Sequence, residues 1–71
     1  MIRRFEFVGG TSAKFWEVAI SGASVTVRFG QLGTNGQSQT TQFPDVAKAQ
    51  KHVEKLVREK VSKGYCEVAA V

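Results

Sequence analysis

The sequence predicts an α+β fold in which an antiparallel meander of four to five strands packs against one C-terminal helix. Two observations predict it. Up to Phe43, short segments alternate between apolar and polar residues, and turns containing glycine separate them. After Pro44, apolar residues recur every three or four positions, which is the spacing of an amphipathic helix. With 71 residues, the chain is expected to form one stand-alone domain, 1–71.

The first three predicted strands each have one apolar face. In the second strand, Trp16, Val18 and Ile20 share that face, so Trp16 is expected in the core. The fourth strand is rich in glutamine and threonine and is expected to be exposed on one face. The predicted strands cover residues 2–8, 14–20, 23–29 and 38–43.

Asp45 is the predicted N-cap of the helix, since its carboxylate can accept a hydrogen bond from a free N–H group at that end. Gly64 is expected at the C′ position, with Tyr65 folding back on the last turn in a Schellman motif. Residues 66–71 are expected to add a short strand or to fray. The apolar stripe predicted to face the sheet consists of Val46, Ala49, Val53, Leu56, Val57 and Val61.

The bulk composition favours an intracellular protein with an anionic partner. The net charge is +4, and the segment 45–63 holds six cations against three acids. Such a charge favours nucleic acid, although many small domains carry it for solubility. No apolar run approaches the roughly 20 residues of a membrane span, and no signal peptide is expected. The single cysteine, Cys66, is compatible with a reducing compartment, so a cytoplasmic bacterial or a nuclear location is expected.

The sequence contains no recognisable catalytic constellation. His52 is the only histidine and falls in mid-helix, and Cys66 lies in the tail after the helix. One histidine and one cysteine cannot form a structural zinc site. The glycines at 30–36 match neither the P-loop nor the dinucleotide fingerprint. We therefore expect a non-enzymatic domain without metal or cofactor.

The glycine-rich segment is the most informative part of the chain. Gly30, Gly33 and Gly36 follow the third strand at intervals of three, and glycine at such a place indicates positive φ or close backbone approach. Asn35 followed by Gly36 is typical of a type I′ hairpin turn. Backbone N–H groups that no side chain screens could contact a ligand here.

This segment resembles a known family. Residues 29–37, FGQLGTNGQ, are similar to the signature of the WGR domain, which is named for a Trp-Gly-Arg tripeptide. Residues 14–18, KFWEV, resemble the strand that precedes that signature, and residues 43–65 resemble the helix and tail that follow it. The resemblance covers roughly residues 5–68. Two signature positions differ, because the tryptophan is Phe29 and the arginine is Gln31.

The resemblance implies the same α+β layout and binding to DNA ends or strand breaks, often beside the catalytic part of poly(ADP-ribose) polymerases. In the family, the tryptophan at the position of Phe29 stacks on a sugar at a DNA end. Gln31 lacks the fixed charge and the bidentate fork of the arginine it replaces. The predicted nucleic-acid-binding residues are Lys14, Arg28, Phe29, Gly30, Gln31, Gly33 and Gln37.

Two other functions remain open at this stage. The helix and the edge formed by Arg28 and Gln31 could dock a protein partner, with DNA binding lost together with the arginine. A small enzyme is disfavoured, because no acid–base pair is recognisable. The oligomeric state is not predicted by the sequence.

Overall fold

The computed structural model describes residues 2–68, which form a five-stranded antiparallel sheet with one helix. The sheet order is β4-β3-β2-β1-β5. The α+β class and the meander are thus confirmed. The elements are β1 (Ile2–Gly9), β2 (Ser12–Ser21), β3 (Ser24–Gln31), β4 (Gln37–Gln42), α1 (Val46–Ser62) and β5 (Cys66–Val68).

The strand register assigns the side chains to two faces of the sheet. Phe5 pairs with Trp16, and Trp16 pairs with Phe29, so these three side chains lie on the side of the helix, here called the helix face. Their neighbours along each strand point to the opposite side, here called the open face. The core on the helix face consists of Phe5, Trp16, Val18, Val25, Ala49 and Val53.

Both predicted helix ends are confirmed. At the N-terminus, the Lys48 N–H donates to Asp45 Oδ1 at 2.8 Å. At the C-terminus, the Gly64 N–H donates to the Val61 carbonyl at 3.0 Å and the Tyr65 N–H to the Lys60 carbonyl at 3.1 Å. These two bonds, with Gly64 at φ 102°, define a Schellman motif.

The apolar stripe of the helix is shorter than predicted. Ala49 and Val53 are buried, whereas Val46 and Val61 at the two ends are 48% and 53% exposed. The helix contacts β2 and β3, the strands at the middle of the sheet. Its 17 residues span about 25 Å, so its ends extend beyond the strands that it crosses.

The glycine-rich connection differs from the predicted type I′ turn. That turn requires positive φ at both central residues, and Asn35 has negative φ. Instead, the Thr34 N–H donates to the Gln31 carbonyl at 3.1 Å, and Gly33 has φ 88°. These are the features of a type II turn over residues 31–34. The strand β3 also continues two residues past its predicted end, to Gln31.

The segment 34–36 then folds back onto the open face. A Cβ atom on Gly30 would lie 2.7 Å from the Gly36 Cα, and a Cβ atom on Gly36 would lie 2.7 Å from the Phe15 ring. Phe15 is 1% exposed, although it lies on the face away from the helix. The glycines therefore allow the connection to pack closely over Phe15 and β3.

The strand β4 is exposed along its entire length, on both faces. Its polar composition predicted exposure of one face, and the residues that point to the other face are exposed as well. Among residues 2–68, no helix is both long and apolar enough to cross a bilayer. The predicted tail strand is confirmed for residues 66–68, and its continuation to 71 lies outside the described residues.

Candidate nucleic-acid interface

A groove opens on the helix face, between the ends of β2 and β3 and the last turn of α1. Its volume is about 390 Å³. Three aromatic rings, those of Trp16, Phe29 and Tyr65, line it together with the side chains of Lys14 and Lys60. We call this site the basic groove. It combines cations with aromatic surface, the two components that nucleic-acid-binding surfaces use for phosphates and for bases or sugars.

Lys60 projects from the helix into the basic groove. Its Nζ lies 5.6 Å from the centroid of the Trp16 ring and 5.5 Å from that of Tyr65. Burial lowers the pKa of the Lys60 ammonium below its ordinary value of 10.5, and the positive charges of Lys63 and Lys14 lower it further, while Glu59 opposes the shift. The lowered pKa means that the charge of Lys60 is poorly solvated, so an anion at this position would stabilise it.

A second cavity of about 300 Å³ adjoins the basic groove and extends its positive character. Lys14, Lys60 and Lys63 line it with the rings of Phe7 and Tyr65. The Lys14 Nζ lies 5.6 Å from the centroid of the Phe7 ring. Within residues 2–68, none of these three lysines forms a salt bridge. No described carboxylate is therefore in direct ionic contact with them, although Glu59 acts on Lys60 from a longer distance.

The structure brings four of the predicted site residues together. Lys14, Phe29 and Gln31 lie on the helix face and line the basic groove, and Gly30 contributes to its wall. The Phe29 ring is 38% exposed, so its surface is available for stacking. Gln31 is exposed at the end of β3, opposite Lys14 on β2.

Two further predicted residues lie near the basic groove without lining it. Gln37 starts β4 and pairs with Phe29, so its side chain is on the helix face. Gly33 occupies the tip of the type II turn, and a Cβ atom there would meet nothing within 4 Å. The positive φ of this position favours glycine, and the open space around it leaves room for a ligand.

Arg28 is separated from the other predicted residues, because its side chain lies on the open face. Its Nε donates to Glu17 Oε1 at 3.1 Å, and its Nη2 forms a salt bridge with the same oxygen at 2.9 Å. Arg4 binds the other oxygen of this carboxylate. Burial raises the pKa of Glu17, but the hydrogen bonds from Arg28 and Arg4 outweigh it and hold the pKa below its ordinary value of 4.5. The Arg28 guanidinium is thus already paired.

Sequence reasoning missed Lys60 and Tyr65, which line the basic groove, and Lys63, which lines the cavity beside it. For Lys60 a signal was present. It follows Val53 by seven positions and Leu56 by four, which puts it on the apolar stripe that faces the sheet. A lysine at a sheet-facing position is either costly or functional, because its charge must leave water.

The two chemically reactive residues singled out in the sequence lie outside the basic groove. His52 packs its ring against Phe43, with 4.9 Å between the centroids. Cys66 is exposed on β5. Among the residues that the structure describes, no cluster of three or more His, Cys, Asp or Glu side chains could hold a metal ion.

A five-stranded sheet with one helix and a cationic, aromatic groove defines a small binding domain. The family model of the WGR domain matches residues 1–70, and the chain belongs to that family. WGR domains are binding modules that typically bind nucleic acid. The resemblance inferred from residues 14–18, 29–37 and 43–65 is therefore confirmed.

Two proteins of Escherichia coli (strain K12) are similar to the chain. Protein YehF is 43% identical over 68 residues, which cover 96% of this chain and 25% of YehF. The uncharacterized protein YfeS is 36% identical over 67 residues, which cover 94% of this chain and 28% of YfeS. The chain thus spans about a quarter of the length of these curated relatives.

The fold also matches a solved structure. A crystal structure of a Bacteroides fragilis protein superposes with a TM-score of 0.94 at 42% sequence identity. The match covers 97% of this chain and 20% of the other. The same layout of sheet and helix therefore occurs within longer polypeptides.

Proposed function

We propose that this domain binds DNA through the basic groove, without catalysing a reaction. The observation that carries the proposal is the convergence of Lys14, Lys60 and Lys63 on the basic groove and the cavity that adjoins it, both lined by aromatic rings. These lysines form no salt bridge with any other residue of 2–68. Phosphate groups are the anions that such a cluster favours, and aromatic rings stack on bases or sugars. The membership of the WGR family supports the same ligand class.

The preferred form of DNA in this proposal is an end or a strand break. Bases inside an intact duplex are covered on both sides by their neighbours, and extruding one costs a few kcal/mol. A terminal nucleotide already exposes one face. The exposed Phe29 ring can stack there while the lysines contact the adjacent phosphates.

The lowered pKa of Lys60 gives the proposal a consequence that can be measured. The pKa of Lys60 lies below 10.5 in the free domain, and a bound phosphate would raise it. Binding should therefore take up a proton in the window above the free-state pKa. The affinity should fall as the pH rises through that value, because the bound form needs the protonated ammonium.

The test compares a covalently closed circular duplex with the same circle carrying one nick, by fluorescence anisotropy over a range of salt concentrations. We expect tighter binding to the nicked circle and a slope of log K against log salt of about −2.7, from three phosphate contacts at about 0.9 each. Lys60→Gln should reduce that slope by about 0.9. Lys51→Gln, which removes an exposed lysine on the same helix, is the matched control.

Equal effects of the two substitutions would remove the basic groove as the site and leave only non-specific attraction. No binding at low salt to either circle would reject DNA as the ligand and favour the protein-interaction alternative. Equal affinity for both circles would keep DNA binding but reject the preference for breaks.

A further inference from the structure

The outer edge of β4 differs from ordinary sheet edges. Natural proteins protect edge strands with charged residues, proline, bulges or short length. The opposite edge follows this rule, since the described part of β5 carries the charged residue Glu67, which is paired with Arg3. The strand β4 has six residues, QSQTTQ, with no charge and no proline, and all six are exposed.

The backbone groups at this free edge can be assigned from the register. The Phe43 N–H donates to the Ala23 carbonyl at 2.8 Å, so position 43 points its hydrogen-bonding groups at β3. In an antiparallel pair, hydrogen-bonded positions alternate with positions that point away. The N–H and C=O groups that face outward are therefore those of Ser38, Thr40 and Gln42.

The side chains of these three residues lie on the open face, and those of Thr40 and Gln42 already form hydrogen bonds with β3. Ser24 Oγ donates to Gln42 Oε1 at 2.9 Å, and the Thr26 and Thr40 hydroxyls are 3.0 Å apart. Ser–Gln and Thr–Thr are thus pairs that this sheet accommodates at cross-strand positions.

We propose that β4 pairs with β4 of a second copy of this chain, antiparallel, about a twofold axis that passes midway between the two copies of Thr40. In that register, Thr40 faces Thr40 of the other copy, and Ser38 faces Gln42. Every outward N–H and C=O of the strand then has a partner. The side-chain pairs are again Thr–Thr and Ser–Gln, the pairs already formed with β3.

A second copy fits this edge because the strand is self-complementary and uncharged. The chain carries a net charge of +4, which would oppose self-association through most of its surface. The strand β4 contributes nothing to that charge. The twofold axis is perpendicular to the sheet, so both helices lie on the same side of one continuous sheet.

Sedimentation equilibrium of the chain tests the proposal. From about 10 µM to 1 mM, the apparent mass should rise from 7.8 kDa toward twice that value. Thr40→Pro should weaken association by about 10- to 100-fold, because each copy loses one intermolecular N–H donor. That N–H is not used by β3, so the fold is expected to survive, which a thermal melt verifies.

A second pair of variants tests the same interface without placing a proline in the strand. Thr40→Lys places two ammonium groups opposite each other at the twofold axis and should abolish the dimer. Thr41→Lys adds the same charge on the helix face of the same strand, away from the axis, and should be weaker in effect. A mass of 7.8 kDa at every concentration would overturn the proposal, as would equal association of Thr40→Pro and the parent chain.

Discussion

The two faces of the sheet both carry cations, but within residues 2–68 only the helix face has cations that form no salt bridge, those of the basic groove. On the open face, Arg4 and Arg28 share the carboxylate of Glu17, and Arg4 also binds Glu6. On the helix face, the lysines of the basic groove form no salt bridge within residues 2–68. Net charge alone therefore does not distinguish the two faces, whereas the pairing of the individual cations does.

The two faces also bury aromatic rings in different ways. Trp16 packs under the helix beside Phe5, with 5.6 Å between the ring centroids. Phe15 is covered by the guanidinium carbons of Arg4 and Arg28, at 4.6 and 5.4 Å from its ring centroid, and by the connection at Gly36. Adjacent residues of one strand are thus buried by apolar packing on one side and by charged groups and backbone on the other.

The largest effect is expected from truncating these two rings. Trp16→Ala should cost about 3–5 kcal/mol in the free energy of unfolding, because the helix cannot close the cavity. Phe15→Ala should fall near the lower end of that range, since the arginine side chains and the connection can relax into the space. Urea denaturation measures both values. A cost for Phe15→Ala below about 1 kcal/mol would mean that the burial of Phe15 on the open face contributes little to stability.

The next effect concerns the close contact under the glycine-rich connection. Gly36→Ala should destabilise the fold by about 2–4 kcal/mol, since its Cβ would lie within 3 Å of both the Phe15 ring and the Phe29 carbonyl group, at φ 69°. Gly22→Ala is the control, because φ is 58° there as well but the added Cβ atom would meet no other atom within 4 Å. It should cost only about 1 kcal/mol. Thermal melts that show equal losses would contradict the packing role of Gly36.

A smaller effect is expected on DNA binding, and it tests whether the helix face is the side that binds. Gln31→Arg restores a guanidinium at the rim of the basic groove and should strengthen DNA binding by about 1.5–3 kcal/mol at best. Gln50→Arg adds the same charge at an exposed helix position outside the groove. Anisotropy titrations should show the larger gain at position 31. Equal gains would mean that the groove has no special role.

The smallest effect concerns the ion pairs of the open face. Glu17 has a lowered pKa in the folded state, so its stabilising contribution is present above the unfolded pKa near 4.5 and is lost as the pH falls through the folded value. Glu17→Gln should remove about 1 kcal/mol at pH 7 after allowance for solvent screening, and the difference from the parent should vanish at low pH. Melting temperatures between about pH 2 and 7 provide the measurement.

The sequence predicted the fold well because local signals agree with one another. Alternation placed Trp16 and Val18 on the buried face, and Asp45 and Gly64 marked the helix ends. The predicted packing of Val46 and Val61 against the sheet was wrong, because the sequence of a helix does not show how far the sheet extends beneath it. Burial of Phe15 was also not predictable, since it depends on the connection folding back over β3.

The site was predictable in part. Lys14 was predicted from the strand before the family signature, and Phe29 and Gln31 were predicted from the signature itself. The structure places all three along one groove. Their role in binding stays a prediction. Lys60 comes from the helix, distant in sequence, and joins them only through packing. Strand alternation already indicated that Arg28 points away from Phe29, and the structure shows that Glu17 holds it on the open face.

Lys60 links the basic groove to the C-terminal end of the helix, through its side chain and its backbone carbonyl. Its Nζ enters the basic groove, and its carbonyl accepts the N–H groups of Lys63 and Tyr65 in the Schellman motif that leads into β5. Fraying of the last helical turn would therefore withdraw the ammonium, release Tyr65 and free the edge of β1 together. We therefore expect the basic groove and residues 60–68 to open together, so occupancy of the groove should slow amide hydrogen exchange at residues 63 and 65.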